Sequence, residues 1–178
     1  MKRLTGFLAL ATLTALAGCA SAPPQAQAPI DFARYHGAIA VEQVELAPTV
    51  AADLPEAERA ALARKLQVAL VGALSETATV REPAPGVLRL AITVTHIDTA
   101  NPTANGISSA LVLVPVDRGG IAFEARFFDG QGGQPFASIT EQRKGSLFDI
   151  KGNFSHYGHA IRELGEWGEW LAQELERT

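Results

Sequence analysis

A single cysteine, Cys19, ends a short apolar segment near the start of the chain and constrains how the protein can fold. Lys2 and Arg3 precede residues 4–17, which are apolar apart from three threonines and one glycine. A basic start, a short apolar stretch and small residues form the layout of a secretory signal. The stretch is shorter than the roughly 20 apolar residues that a membrane span needs. Since the chain has no second cysteine to form a disulfide, its hydrophobic core must hold the fold together.

The segment Leu16-Ala17-Gly18-Cys19 resembles the lipobox of bacterial lipoproteins. The resemblance implies that residues 1–18 are removed as a signal peptide and that Cys19 carries acyl chains such as palmitate. The next residue is Ala20 rather than aspartate, which in the sorting rule of Gram-negative lipoproteins implies the outer membrane, facing the periplasm. An ordinary secretory signal with an incidental free thiol, or a membrane-spanning anchor, would be the alternatives.

The charge balance narrows the possible partners. The formal net charge is −4, and removal of Lys2 and Arg3 with the signal would make it −6. An acidic domain has no electrostatic reason to bind nucleic acid or anionic lipid headgroups. We therefore expect no nucleic-acid partner and attachment to the membrane only through the lipid, where each buried methylene contributes about 0.8 kcal/mol.

The rest of the chain divides into a linker and one domain. Residues 19–34 are rich in alanine, proline and glutamine, which is typical of a flexible tether, and residues 35–178 form a single globular domain. Alternating apolar residues predict strands, with a bulge or an edge in the first. The predicted strands are 39–46, 77–81, 87–98, 121–128 and 136–143. Between them, residues 101–120 contain turn signals and an apolar run that is either buried or exposed.

Two segments have the apolar spacing of helices. The first is 53–74, where Asp53 and Glu56 have capping-box spacing, and the second is 156–176, whose glutamates Glu163, Glu166 and Glu169 fall outside the apolar stripe. The order of elements predicts an α+β fold in which two main amphipathic helices cover one face of a mostly antiparallel sheet.

Several short motifs resemble the lipoproteins of domain-of-unknown-function family 3313 (DUF3313). They are Leu-Pro-Glu-Ala-Glu-Arg at 54–59, Pro-Gly-Val-Leu-Arg-Leu at 85–90, Asn-Pro at 101–102, Phe-Asp at 128–129 and the segment 167–171. The resemblance covers about residues 35–176 and implies an envelope lipoprotein of unassigned role. It supplies no catalytic residue.

Candidate catalytic groups are few. Ser108 and Ser109 lack the Gly-x-Ser-x-Gly context of a nucleophile elbow, and His96 and Asp98 share one face of a strand without an evident nucleophile. The glycines at 130, 132 and 133 lead into a strand rather than a helix, so they indicate a turn and not a phosphate cradle. We therefore expect no catalytic residue and no cofactor.

The histidines near the last helix suggest a metal site as the alternative to a chain without a cofactor. His156, His159 and Glu163 could share one side of the last helix, and histidine and carboxylate ligands suit zinc. The pattern is not His-Glu-x-x-His, and solvated or capping histidines would have the same spacing. These three residues are weak metal candidates, on which a metal-dependent hydrolase would depend.

Apolar side chains outside the predicted core are the candidates for partner binding. Trp170 falls among the glutamates of the last helix, Trp167 lies near the edge of its apolar stripe, and Leu111 and Leu113 belong to the apolar run. We predict a non-catalytic binding or accessory module that contacts another envelope protein. Besides the hydrolase, a carrier of lipid or another small ligand, with a cavity beneath the apolar run, is the alternative.

Overall fold

The strand Leu88–Asp98 lies at the centre of a six-stranded sheet in the computed structural model, which describes residues 30–100, 119–146, 152 and 155–177. The predicted signal peptide, Cys19 and the apolar run with Leu111 and Leu113 lie outside the described residues. After a 3-10 turn at Ala33–Tyr35, the elements are β1 Ala38–Val41, β2 Glu45–Leu46, α1 Pro48–Ala52, α2 Glu56–Leu74, β3 Thr79–Val80, β4 Leu88–Asp98, β5 Gly120–Asp129, β6 Ala137–Lys144 and α3 Gly158–Glu176. No helix in these ranges is long and apolar enough to cross a bilayer.

The sheet is mixed, with its longest pairings antiparallel. The strand order is β3-β1-β4-β5-β6, and β2 also pairs with β4. The pairs β4–β5 and β5–β6 are antiparallel, whereas the short strands form the parallel pairs β1–β3, β1–β4 and β2–β4. With α2 and α3 packed on it, this sheet confirms the predicted α+β fold.

One face of the sheet and the two long helices enclose the core. The strands contribute Leu88, Leu90, Ile92, Val94, Ile121, Phe123, Ala125 and Phe127, and the helices contribute Leu62, Leu66, Leu70, Leu164, Trp167 and Leu171. The opposite face carries half-exposed polar residues, among them Arg89 and Arg126. This alternation is the one that the period of two in β4 and β5 predicts.

The first predicted strand is divided into β1 and β2. Val41 pairs with Leu90 and Glu45 pairs with Thr93. The segment that joins β1 to β2 therefore has one more residue than β4 has between the same two pairs. The extra residue agrees with the expected bulge. Val44 is buried in the gap, and its backbone N–H donates to Gln67 Oε1 of α2 at 2.7 Å.

The predicted start of the first long helix was wrong. Asp53 ends the short helix α1 instead of capping α2, whose N-cap is Pro55 with no side-chain hydrogen bond. Proline at 48 provides the preset backbone angle that favours the first turn of α1, and a separate turn then begins α2 at Glu56.

Candidate functional site

A cleft of about 460 Å³ lies where the end of β4 meets α1 and the start of α3. Its walls come from three parts of the chain that are distant in sequence. The described lining residues are Thr49, Val50, Asp53, Leu54, Thr95, His96, Ile97, Thr99 and Tyr157. Except for its histidine, this site was missed by sequence reasoning, because α1 has too few residues to give a periodic signal.

A β-bulge shapes the wall that β4 contributes. Val94 pairs with Phe123 and His96 pairs with Ala122, so Thr95 is an extra residue on β4. Since side chains alternate along a strand, the extra residue moves His96 from the core side to the exposed side. His96 Nε2 lies 2.8 Å from Asp98 Oδ1, so the predicted common face of these two residues is confirmed.

Tyr157 forms the opposite wall and joins the two long helices. Its hydroxyl donates a hydrogen bond to Glu58 Oε1 at 2.8 Å, which ties the residue before α3 to the first turn of α2. Burial raises the pKa of the Tyr157 hydroxyl, and the hydrogen bond to Glu58 and its negative charge raise it further. The hydroxyl therefore keeps its proton at neutral pH and remains a donor.

The chemistry of the cleft is suited to holding a polar group. Its hydroxyls belong to Thr49, Thr95, Thr99 and Tyr157, and Asp53 adds a carboxylate. Val50, Leu54 and Ile97 provide apolar surface beside them. Among the described lining residues none is a serine or a cysteine. Ser108 and Ser109 lie outside the described residues.

The three weak metal candidates do not form one site. His156 is exposed and precedes α3, whereas His159 is buried at 1% exposure. Glu163 is engaged elsewhere, because its Oε2 accepts a hydrogen bond from Arg143 Nε of β6 at 3.2 Å. Within the described ranges no group of three potential ligands converges. Glu163 is buried, with 8% exposure, although the helical spacing places it outside the apolar stripe.

The side chain of His159 occupies a space beside Gly119 and Gly145, which lie next to β5 and β6. A larger residue at Gly145 would fill that space. A Cβ on Gly145 would lie 2.1 Å from His159 Nδ1, and one on Gly119 would lie 3.2 Å from His159 Cβ. Gly145 donates its backbone N–H to the Gly119 carbonyl at 2.8 Å, which extends the β5–β6 ladder beneath the imidazole. The position of His159 is therefore a packing position rather than that of a ligand facing a cleft.

The two tryptophans of α3 differ in exposure. Trp170 is 39% exposed, as the helical phase predicts, but Trp167 has no exposed surface. The Trp167 ring meets Phe123 of β5 edge to face, with centroids 5.1 Å apart. Trp167 is therefore corrected from a candidate contact residue to a core residue, because its side chain points at the sheet and cannot reach a partner. Leu111 and Leu113 lie outside the described residues.

Comparison with known proteins gives a family without an assigned function. The family model "Protein of unknown function (DUF3313)" matches residues 26–171, whereas no curated protein matches the chain. One similar structure is a Xanthomonas campestris protein of family model DUF330, with 16% identity, a TM-score of 0.45, and coverage of 79% of this chain and 86% of that one. Another is a PelC variant from Paraburkholderia phytofirmans, solved as a dodecamer, with 11% identity, a TM-score of 0.44, and coverage of 80% and 88%. Because the family match includes the whole sheet, α2 and most of α3, this protein belongs to the DUF3313 family.

Proposed function

We propose that this protein is a lipid-anchored lipoprotein of the outer membrane that faces the periplasm and acts as a non-catalytic binding module. The lipobox-like segment ending at Cys19 supports the anchor. The observation that carries the binding role is the position of the cleft, which lies at the end of the sheet opposite to the end where the linker enters the domain.

The linker end is defined by contacts with the β5–β6 hairpin. Arg34 Nη2 donates to Asp129 Oδ2 at 2.9 Å, and the Phe32 ring meets Phe127 with centroids 5.7 Å apart. Asp129 pairs with Leu88 at the beginning of β4, whereas the cleft is formed at the far end, beyond Val94. At about 3.3 Å per residue, the length of β4 separates these two ends by about 30 Å.

This arrangement suits a module that is held at a membrane and binds a partner away from it. Acyl chains on Cys19 would keep the hairpin end near the bilayer and leave the cleft open toward the periplasm. Confinement at one surface raises the effective concentration for partners at the same membrane without any new contact. The hydroxyl groups and the carboxylate of the cleft supply hydrogen bonds for a polar partner group.

Site-specific photocrosslinking in intact cells tests the binding role. A photoreactive amino acid at exposed Thr99, beside the cleft, should give a discrete adduct. The matched control is exposed Gln134 in the β5–β6 hairpin, where the same probe should give none. Equal labelling from both positions, no adduct from Thr99, or turnover of a substrate by the purified protein would contradict the proposal.

The anchor has a separate test. Cys19→Ala should abolish acyl labelling and release the protein from membranes, because no other lipidation site is expected. Cys19→Ala protein that remains in the membrane fraction after a salt wash would contradict the anchor without affecting the role of the cleft.

A further inference from the structure

The side of α2 that faces away from the core is unusually poor in charge over half its length. From Leu66 to Ser75 the sequence contains no charged residue, although the outward positions in this range are in solvent. Val68 is 66% exposed, the highest value among the large exposed hydrophobic residues that the structure describes. A helix that is apolar on both sides is typical of one that is buried on both sides.

Four exposed residues form a row along this side at steps of four. They are Arg64, Val68, Gly72 and Glu76, the last of which comes directly after Ser75, the C-cap of the helix. Residues four apart are neighbours on a helix surface, and such rows are the ridges by which helices pack together.

The row is complementary to itself when it is turned end to end. A two-fold axis between Val68 and Gly72 places Val68 of each copy against Gly72 of the other, and Arg64 against Glu76. A Cβ on Gly72 would meet nothing within 4 Å, so the glycine leaves a notch that can receive the valine. Within the described ranges neither Arg64 nor Glu76 takes part in an ion pair.

We propose that this row is the contact by which two copies of the chain pair through antiparallel α2 helices. The same patch on both partners is the hallmark of a two-fold dimer. Stable dimers usually bury about 1,200 Å² or more in total, which one helix pair hardly reaches. The pairing should therefore be weak in solution and strong on the membrane. This last step rests on the proposed lipid anchor, which would concentrate the chains at one surface.

Cysteine crosslinking of the full-length protein in its own membranes tests the proposal. With the axis between residues 68 and 72, the two copies of Val68 are offset by about 6 Å along the helices, and the two copies of Ala61 by about 27 Å. Val68→Cys should therefore give at least tenfold more disulfide-linked dimer than Ala61→Cys, an exposed control on the same helix. Wild-type protein, which carries Cys19 alone, gives the background.

Charge reversal tests the register. In the Val68→Cys background, Arg64→Glu should lower crosslinking at least fivefold, and the added change Glu76→Arg should restore it. Unaltered circular dichroism of each variant would exclude unfolding as the cause. Equal crosslinking from Ala61→Cys, none from Val68→Cys, a failure to restore, or a Val68→Cys adduct with a different protein would each overturn the pairing. The Thr99 adduct should survive Arg64→Glu, so failure of the dimer and failure of the cleft are distinguishable.

Discussion

The two long helices have the same length and pack on the same face of the sheet, but their outward sides differ. Each has 19 residues. The outward side of α3 carries charged side chains throughout, including Arg162, Glu166 and Glu169, and Arg162 donates to Glu166 one turn away. The outward side of α2 loses its charge after Lys65. The charge pattern of a helix therefore indicates where it meets water, and only α3 has the pattern of a helix with one buried side.

The inward side of α3 carries side chains of different size toward its two neighbours, α2 and the sheet. Where the helices meet, α3 presents Gly168, and a Cβ there would lie 3.1 Å from Leu70 Cδ1 and 3.2 Å from the Ala73 Cβ of α2. Toward the sheet, α3 presents its largest residue, Trp167. One helix thus combines its smallest and largest side chains, which allows close approach to α2 and fills the wider space above β5.

Within α3, the largest difference in the stability lost on substitution by alanine should be between the two tryptophans. Trp167→Ala removes a fully buried ring and should lower the free energy of unfolding by about 3–5 kcal/mol. Trp170→Ala removes a ring that is 39% exposed and should cost less than about 1 kcal/mol. Urea denaturation of both variants measures the difference. Similar losses would mean that the ring of Trp170 is as much a part of the core as that of Trp167.

Two ion pairs on α3 provide the next comparison. Arg143→Ala would leave the carboxylate of Glu163 buried without its arginine, and we expect a loss of about 2 kcal/mol because the Arg143 side chain keeps 31% exposure. Arg162→Ala breaks the exposed pair with Glu166 and should cost about 0.5 kcal/mol or less. Raising the salt concentration should weaken only the second pair. A loss for Arg143→Ala no larger than that for Arg162→Ala would show that Glu163 reaches solvent.

Local patterns were sufficient to predict most elements of the fold. The alternation in Leu88–Val94 and Ile121–Phe127 predicts strands because each has one buried face, and the spacing in α3 predicts its buried stripe. The capping box failed because Asp53 was needed at the end of α1. A five-residue helix is too short to show a period, so only Pro48 signalled its beginning.

The candidate site could be predicted only in part, because distant segments form it. His96 and Asp98 lie two residues apart on one strand, and this spacing was sufficient to predict a common face. Tyr157 and Asp53 come to the cleft through the packing of helices, which no local pattern records. The burial of Glu163 likewise depends on Arg143, which lies on a strand of the sheet. A polar residue is predicted to be solvated unless its partner is known.

Two glycines, one on each helix, test the packing of the helix pair. Glycine lowers helix stability relative to alanine by about 0.5–1 kcal/mol, so Gly72→Ala, with open space around it, should gain about that amount. Gly168→Ala should instead lose about 1 kcal/mol, because its Cβ would press on Leu70 and Ala73. Urea denaturation midpoints shifted in opposite directions would bear this out. A gain of stability in both variants would mean that α2 and α3 can move apart at Gly168 without a loss of stability.

The smallest effect is expected where the two helices are joined beside the cleft. Tyr157→Phe removes the hydrogen bond to Glu58 and should cost about 0.5 kcal/mol at neutral pH, because the bond is exposed to solvent.

The raised pKa of Tyr157 means that the folded protein holds this proton more tightly than the unfolded chain. The stability it contributes is therefore complete below pH 10, the usual pKa of tyrosine, and is lost as pH rises above about 10 and through the folded-state pKa. The difference between wild type and Tyr157→Phe should shrink over that range in urea denaturation curves, whereas Tyr35, whose pKa is also raised, is present in both proteins and cancels. A difference that stays constant above pH 10 would show that this hydroxyl does not link α2 to α3.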